Sequence, residues 1–135
     1  MTPKGGSLVS KPGGAKFPRR LRLLRHADFD RVYKQGRRCF AAHMTVFYLV
    51  RLDGQGPRVG FTVGRVLGDA VVRNRIKRRL RETVRLRSPR LTSSVDVVIN
   101  PKKSLLTAEF VELQKEINTA FDVIQKSVEK QAGRG

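Results

Sequence analysis

Tryptophan is absent, cysteine occurs once, and acidic residues number only 11 in a chain of 135. Each scarcity removes a class of function. The lone Cys39 cannot close an internal disulfide, which fits a reducing cytoplasm. With only two histidines beside it, His26 and His43, it cannot complete a zinc site. In its apolar surroundings, CFAAHM, the thiol reads as a small packed residue rather than a nucleophile. The carboxylates are dispersed: Asp28 and Asp30 open one element, Asp53 lies in a turn and Asp69 precedes a helix, so nothing resembles the clustered acids of a two-metal nuclease. Gly60, Gly64 and Gly68 have the wrong spacing for a phosphate loop, and neither HExxH nor GK[ST] occurs. No run approaches the ~18 consecutive apolar residues of a membrane span. The N-terminus lacks an apolar core of signal-peptide length, with Leu8 and Val9 standing alone. The expectation is a soluble cytoplasmic protein with no membrane partner and no catalytic residues of its own.

What is abundant is positive charge. Lys and Arg number 29, for a net +18 and an isoelectric point near 11.5. Such a field opposes compaction and attracts polyanions, which makes nucleic acid the leading partner class and anionic membrane a distant second. The length suits one small domain, and a domain of this size buries about two thirds of its unfolded surface.

Residues 1–18 combine glycine, proline and lysine with almost nothing to bury, and read as a disordered basic tail. That tail either touches phosphates weakly or has no role. The domain is expected over 19–130, with 131–135 frayed. Phe29, Val32 and Tyr33 recur at helical spacing ahead of Gly36, predicting a helix over 26–35. HMTVFYLVRL (43–52) and RVGFTVG (58–64) have strand character, and the turn cluster DGQGP between them predicts that these two strands pair as an antiparallel hairpin. CFAA adds an optional short strand. Gly68 and Asp69 supply a turn and an N-cap for a basic helix, SPRLTSS breaks that helix, and VDVVIN (95–100) is a further strand ended by Pro101. A long amphipathic helix follows from 107 to about 130, carried by Phe110, Leu113, Ile117, Phe121, Ile124 and Val128, with Glu109 and Glu112 in its first turns. The order α-β-β-α-β-α, with the optional strand, gives an α+β sandwich of one mostly antiparallel sheet and helices.

The stretch VVRNRIKRRLRETVRLR (71–87) carries eight basic residues and one acid, Glu82. On a helical wheel Val72, Ile76, Leu80, Thr83 and Val84 form one stripe, Asn74, Arg78, Arg81 and Arg85 lie opposite, and Arg75 and Lys77 flank them. A solvated face normally mixes signs. Here Arg73/Lys77, Arg75/Arg79, Lys77/Arg81 and Arg81/Arg85 are like-charged at i,i+4, each costing ~0.2–0.5 kcal/mol, and only Arg78/Glu82 is favourable. Local rules broken consistently in one direction point to a site for a polyanion. Guanidinium forks grip phosphate bidentately, and the amide of Asn74 can read base edges or 2′-hydroxyls.

Three blocks, RLLRHADFDRVYKQG, VGFTVGRVLGDAVVRNRIKRRLRE and VDVVINP, together resemble the protein subunit of bacterial ribonuclease P over roughly residues 19–128, with RNRIKR (73–78) as the most specific part. The resemblance implies the small α/β sandwich also found among ribosomal proteins, with a left-handed βαβ crossover where a right-handed one is the rule. It implies a catalytic RNA partner that, with Mg²⁺ bound mainly by that RNA, removes the 5′ leader of precursor tRNA, the protein being a monomeric accessory in a 1:1 complex. Carried over by position, Arg73, Asn74, Arg75, Lys77, Arg78 and Arg81 face the RNA subunit. Phe29, Tyr33, Phe47 and Arg65 contact the leader. Read from spacing alone, Phe29 and Tyr33 are core; the resemblance instead implies a half-buried stacking surface. Where the family has Ser-Lys-Lys, this chain has Gly64, Arg65 and Val66, which leaves Arg65 to make that contact alone. Gly68-Asp69-Ala70 replaces Gly-Asn-Ala and preserves the cap. A structural-RNA-binding protein without a processing role is the alternative, and a protein-only nuclease is more distant.

Overall fold

The computed structural model describes residues 25–51, 56–87 and 94–133, with the side chains of 86, 87 and 131–133 left aside. The N-terminal tail, most of the DGQGP turn and the SPRLTSS break lie outside the described residues. The elements run α1 (His26–Gln35), β1 (Arg37–Phe40), β2 (Met44–Val50), β3 (Arg58–Phe61), α2 (Ala70–Arg87), β4 (Val95–Pro101) and α3 (Phe110–Gly133). Single 3₁₀ turns at Arg65–Leu67 and Lys103–Leu106 precede α2 and α3. The helix over 26–35 has the expected bounds, the optional strand forms as Arg37–Phe40 and takes in only Cys39 and Phe40 of CFAA, and α3 starts at Phe110 rather than 107 and continues to Gly133.

The four strands lie in the order β1-β2-β4-β3. β1 and β2 form an antiparallel hairpin, β2 and β4 are antiparallel, and β3 and β4 are parallel. The predicted hairpin between 43–52 and 58–64 is therefore not formed, because β4 occupies the slot between them. Two features of β4 explain the insertion. Val95, Asp96, Val97, Val98 and Ile99 are all buried, so both faces and both edges of this run need partners. Asp96 also has no exposure, and it is flanked by the Arg51 guanidinium Nε at 2.8 Å from the end of β2 and that of Arg58 at 2.9 Å from the start of β3. A direct β2–β3 pair would leave those two cations facing each other without the carboxylate.

Alternation along the strands separates two faces. Met44, Val46, Tyr48, Val59, Val97 and Ile99 join the main core under α2 and α3. Phe47, Leu49 and Val98 point the other way, where α1 packs through Val32 and Phe29. Helix α1 covers only part of this second face. Its C-terminus is set by close approach: Gly36 has an extended backbone (φ −84°), and a Cβ there would come within 2.5 Å of the Val32 and Tyr48 carbonyl oxygens.

The sheet holds the basic helix in place. Ile76, Leu80, Thr83 and Val84 of α2 have no exposure, and Val72 is half-buried, as the wheel requires. Each fully buried aliphatic contributes ~1.5–3 kcal/mol, whereas each like-charged pair costs ~0.2–0.5 kcal/mol. Burial wins, so the helix forms despite its charge. The Val72 amide donates to Asp69 Oδ1 at 3.0 Å, the expected N-cap. Gly68 before it has φ 140° and would drive a Cβ to 2.8 Å from the Val72 side chain, so this turn requires glycine.

Candidate nucleic-acid interface

Two surfaces carry the residues singled out by the sequence. The first is the outer side of α2. Asn74, Arg75, Arg78 and Arg81 are exposed, and Arg73 and Lys77 are half-buried at the flanks. Among the described residues, Arg75, Lys77 and Arg78 meet no carboxylate. Glu82 does not pair with Arg78 as the i,i+4 spacing predicts. Its Oε1 accepts instead from Arg85 at 2.6 Å, one residue closer along the helix. That contact removes Arg85 from the open face, where the wheel placed it, and leaves it half-buried.

Arg79 behaves differently from its neighbours. Its guanidinium donates to the Leu106 carbonyl at 3.1 Å and to the Ala108 carbonyl, joining α2 to the segment before α3. Arg79 is thus a structural residue that the sequence reading missed. A signal was present, since Arg79 stands three residues after Ile76 and four before Thr83, at the border of the apolar stripe.

The second surface is the part of the sheet that α1 leaves open. Tyr33 stands edge-on to Phe47, with ring centroids 4.9 Å apart and planes at 87°. Its hydroxyl donates to Asn100 Oδ1 at 2.8 Å and accepts from Thr62 at 2.6 Å, so the tip of the ring is held by two partners. Phe29 and Phe47 are half-buried against Val32 and Val98, while Tyr33 is 37% exposed. The aromatics are therefore neither closed core nor fully solvated. The structure brings all three together and adds polar neighbours, Thr62 and Asn100, that spacing could not reveal. Arg65 is exposed on the 3₁₀ turn leading from β3 to α2, between the two surfaces in the chain.

No cluster of three or more His, Cys, Asp or Glu residues that could hold a metal ion exists among the described residues. Asp28 is engaged by Arg31 at 3.3 Å and Arg58 at 3.6 Å, and Asp96 by Arg51 and Arg58. His43 is a boundary residue: its Nδ1 lies 2.9 Å from Ser104 Oγ, and its backbone amide donates to Glu116 Oε1 at 3.0 Å. Cys39 is half-buried on the α3 side of β1, where burial pushes its thiol pKa up, away from the range of a reactive thiolate. None of the described helices is long and apolar enough to cross a membrane.

A family model described as Ribonuclease P matches residues 17–125. A ribonuclease P protein component from Symbiobacterium thermophilum is 42% identical over 101 residues, covering 75% of this chain and 88% of that protein. One from Acidothermus cellulolyticus is 39% identical over 103 residues, covering 76% and 86%. Among solved structures, the RNase P protein from Thermotoga maritima superposes with a TM-score of 0.64 at 26% identity, covering 74% of this chain and 94% of that one. The Staphylococcus aureus RNase P protein gives 0.65 at 24% identity, covering 77% and 94%, and shares the fold.

Proposed function

Because the chain belongs to the ribonuclease P protein family, we propose that it is the accessory subunit of a ribonucleoprotein that removes the 5′ leader from precursor tRNA. A catalytic RNA performs the hydrolysis, using Mg²⁺ that the RNA itself holds, and this chain supplies binding. Asp28 and Asp96 are committed to arginines.

The outer face of α2 binds the RNA subunit. Arg73, Arg75, Lys77, Arg78 and Arg81 neutralise phosphates, and Asn74 contacts a base edge or a 2′-hydroxyl. The open sheet face receives the leader, whose unpaired bases stack on Phe29, Tyr33 and Phe47, with Arg65 holding a phosphate. The observation that carries this reading is the pairing of two surfaces in one small domain: a cationic helix face where Arg75, Lys77 and Arg78 meet no carboxylate among the described residues, and an aromatic platform held half-open. Duplex regions offer a protein phosphates and 2′-hydroxyls, whereas single strands offer exposed bases. A substrate complex with both needs both surfaces. The protein works in the cytoplasm as a monomer in a 1:1 complex with the RNA.

The test is reconstitution with a bacterial ribonuclease P RNA. Adding the protein is expected to lower the Mg²⁺ concentration needed to cleave precursor tRNA, while the protein alone cleaves nothing. Binding without any change in cleavage would instead favour a structural-RNA-binding protein. Cleavage by protein free of RNA would place the chemistry in the chain.

A further inference from the structure

The aromatic platform does not end at Phe47. In the β1–β2 hairpin Arg38 stands opposite Phe47 and Phe40 opposite Thr45, so these β1 side chains share the open sheet face. Phe40 is 73% exposed, a costly placement for a ring of this size. The Arg38 guanidinium carbon lies 5.4 Å from the centroid of the Phe40 ring and 6.0 Å from that of Phe47. One cation thus bridges two rings within the range of cation–π attraction. With Tyr33 edge-on to Phe47, the sequence across the sheet is Tyr33, Phe47, Arg38, Phe40, ending on the edge strand β1.

We propose that Arg38 and Phe40 form an additional stacking subsite for one unpaired nucleotide of the leader, next to the nucleotide held by Phe47. This rests on the reading of the open sheet face as the leader site. The occupant is single-stranded RNA rather than a second copy of the chain, since two surfaces of a +18 protein repel and Arg37 and Arg38 both lie on this edge. An exposed edge with two arginines also resists strand pairing with another protein. A base stacking on Phe40 contacts the ring through its π-face and is read without regard to sequence. Arg38 then sits between two stacked bases, where its guanidinium can reach the intervening phosphate.

The experiment measures affinity of the reconstituted holoenzyme for precursors whose leaders lengthen one nucleotide at a time. The proteins are the parent, Phe40→Ala, Phe40→Leu, Arg38→Ala and Phe47→Ala. Phe40→Ala is expected to weaken binding about fivefold or more, the lower range for one base stack, but only above a threshold leader length greater than that for Phe47→Ala. Phe40→Leu, which keeps apolar bulk and loses the aromatic face, should lose affinity likewise. An abasic nucleotide at the threshold position should weaken the parent and leave Phe40→Ala unaffected. If Phe47→Ala keeps its leader dependence while Phe40→Ala matches the parent at every length, the subsite is refuted and the leader site stands. If neither variant depends on the leader, both readings fall. A loss shared equally by mature tRNA, or a Phe40-dependent dimer in sedimentation, would also overturn the subsite.

Discussion

Phe29 packs in the fold and is also proposed to bind the leader. It is half-buried against Val32 and Val98, so its removal costs some stability as well as stacking surface. Phe29→Ala is expected to lower melting by a few degrees. In the holoenzyme it should weaken binding of precursor tRNA much more than of mature tRNA, which lacks a leader. Equal losses for both substrates in equilibrium binding would return Phe29 to a packing role. Val66 presents the opposite case, with 92% exposure. Val66→Lys restores a basic residue beside Arg65. It should tighten precursor binding and steepen the dependence of log K on log[salt] by roughly 0.7–0.9, with an unchanged thermal midpoint. An unaltered slope would mean that this turn does not reach a phosphate.

At the scale of an element, α2 places two adjacent arginines in different surroundings. Arg78 is exposed and Arg79 ties the helix to the segment before α3. Salt titrations of RNA binding should separate them. Arg78→Ala is expected to flatten the slope by about one phosphate contact with little effect on folding. Asn74→Ala should reduce affinity for the cognate RNA at constant slope, because a neutral amide releases no counterion. Arg79→Ala should instead cost ~1–3 kcal/mol of stability by stripping two carbonyls of their donor, with the slope intact. Were Arg79→Ala and Arg78→Ala to change the slope alike, the division between anchor and strut would be wrong.

For the molecule as a whole, Asp96 is the residue on which strand order converges. Its carboxylate has no exposure and joins β4 to Arg51 after β2 and to Arg58 in β3, while Arg58 also reaches Asp28 in α1. Removing one member of a buried ionic network leaves its partners uncompensated, at a cost of ~3–5 kcal/mol. Asp96→Ala is therefore expected to be among the most destabilising single changes, as measured by urea unfolding. A loss below about 1 kcal/mol would show that β4 is held by its valines alone.

The sequence by itself determined the charge, the existence of the three helices and the side on which the apolar stripe of each element lies. These depend on composition and on periods of 3.6 and 2, which are local and survive without tertiary knowledge. The buried stripe Ile76, Leu80 and Val84 and the cap at Asp69 are legible for that reason. Strand period, however, specifies a face and never a neighbour. Only the folded chain placed β4 between β2 and β3, turned Glu82 to Arg85 rather than Arg78, and tied Arg79 to the segment before α3. For the same reason it alone set Arg38 and Phe40 beside Phe47, since lateral neighbours in a sheet come from pairing between distant segments.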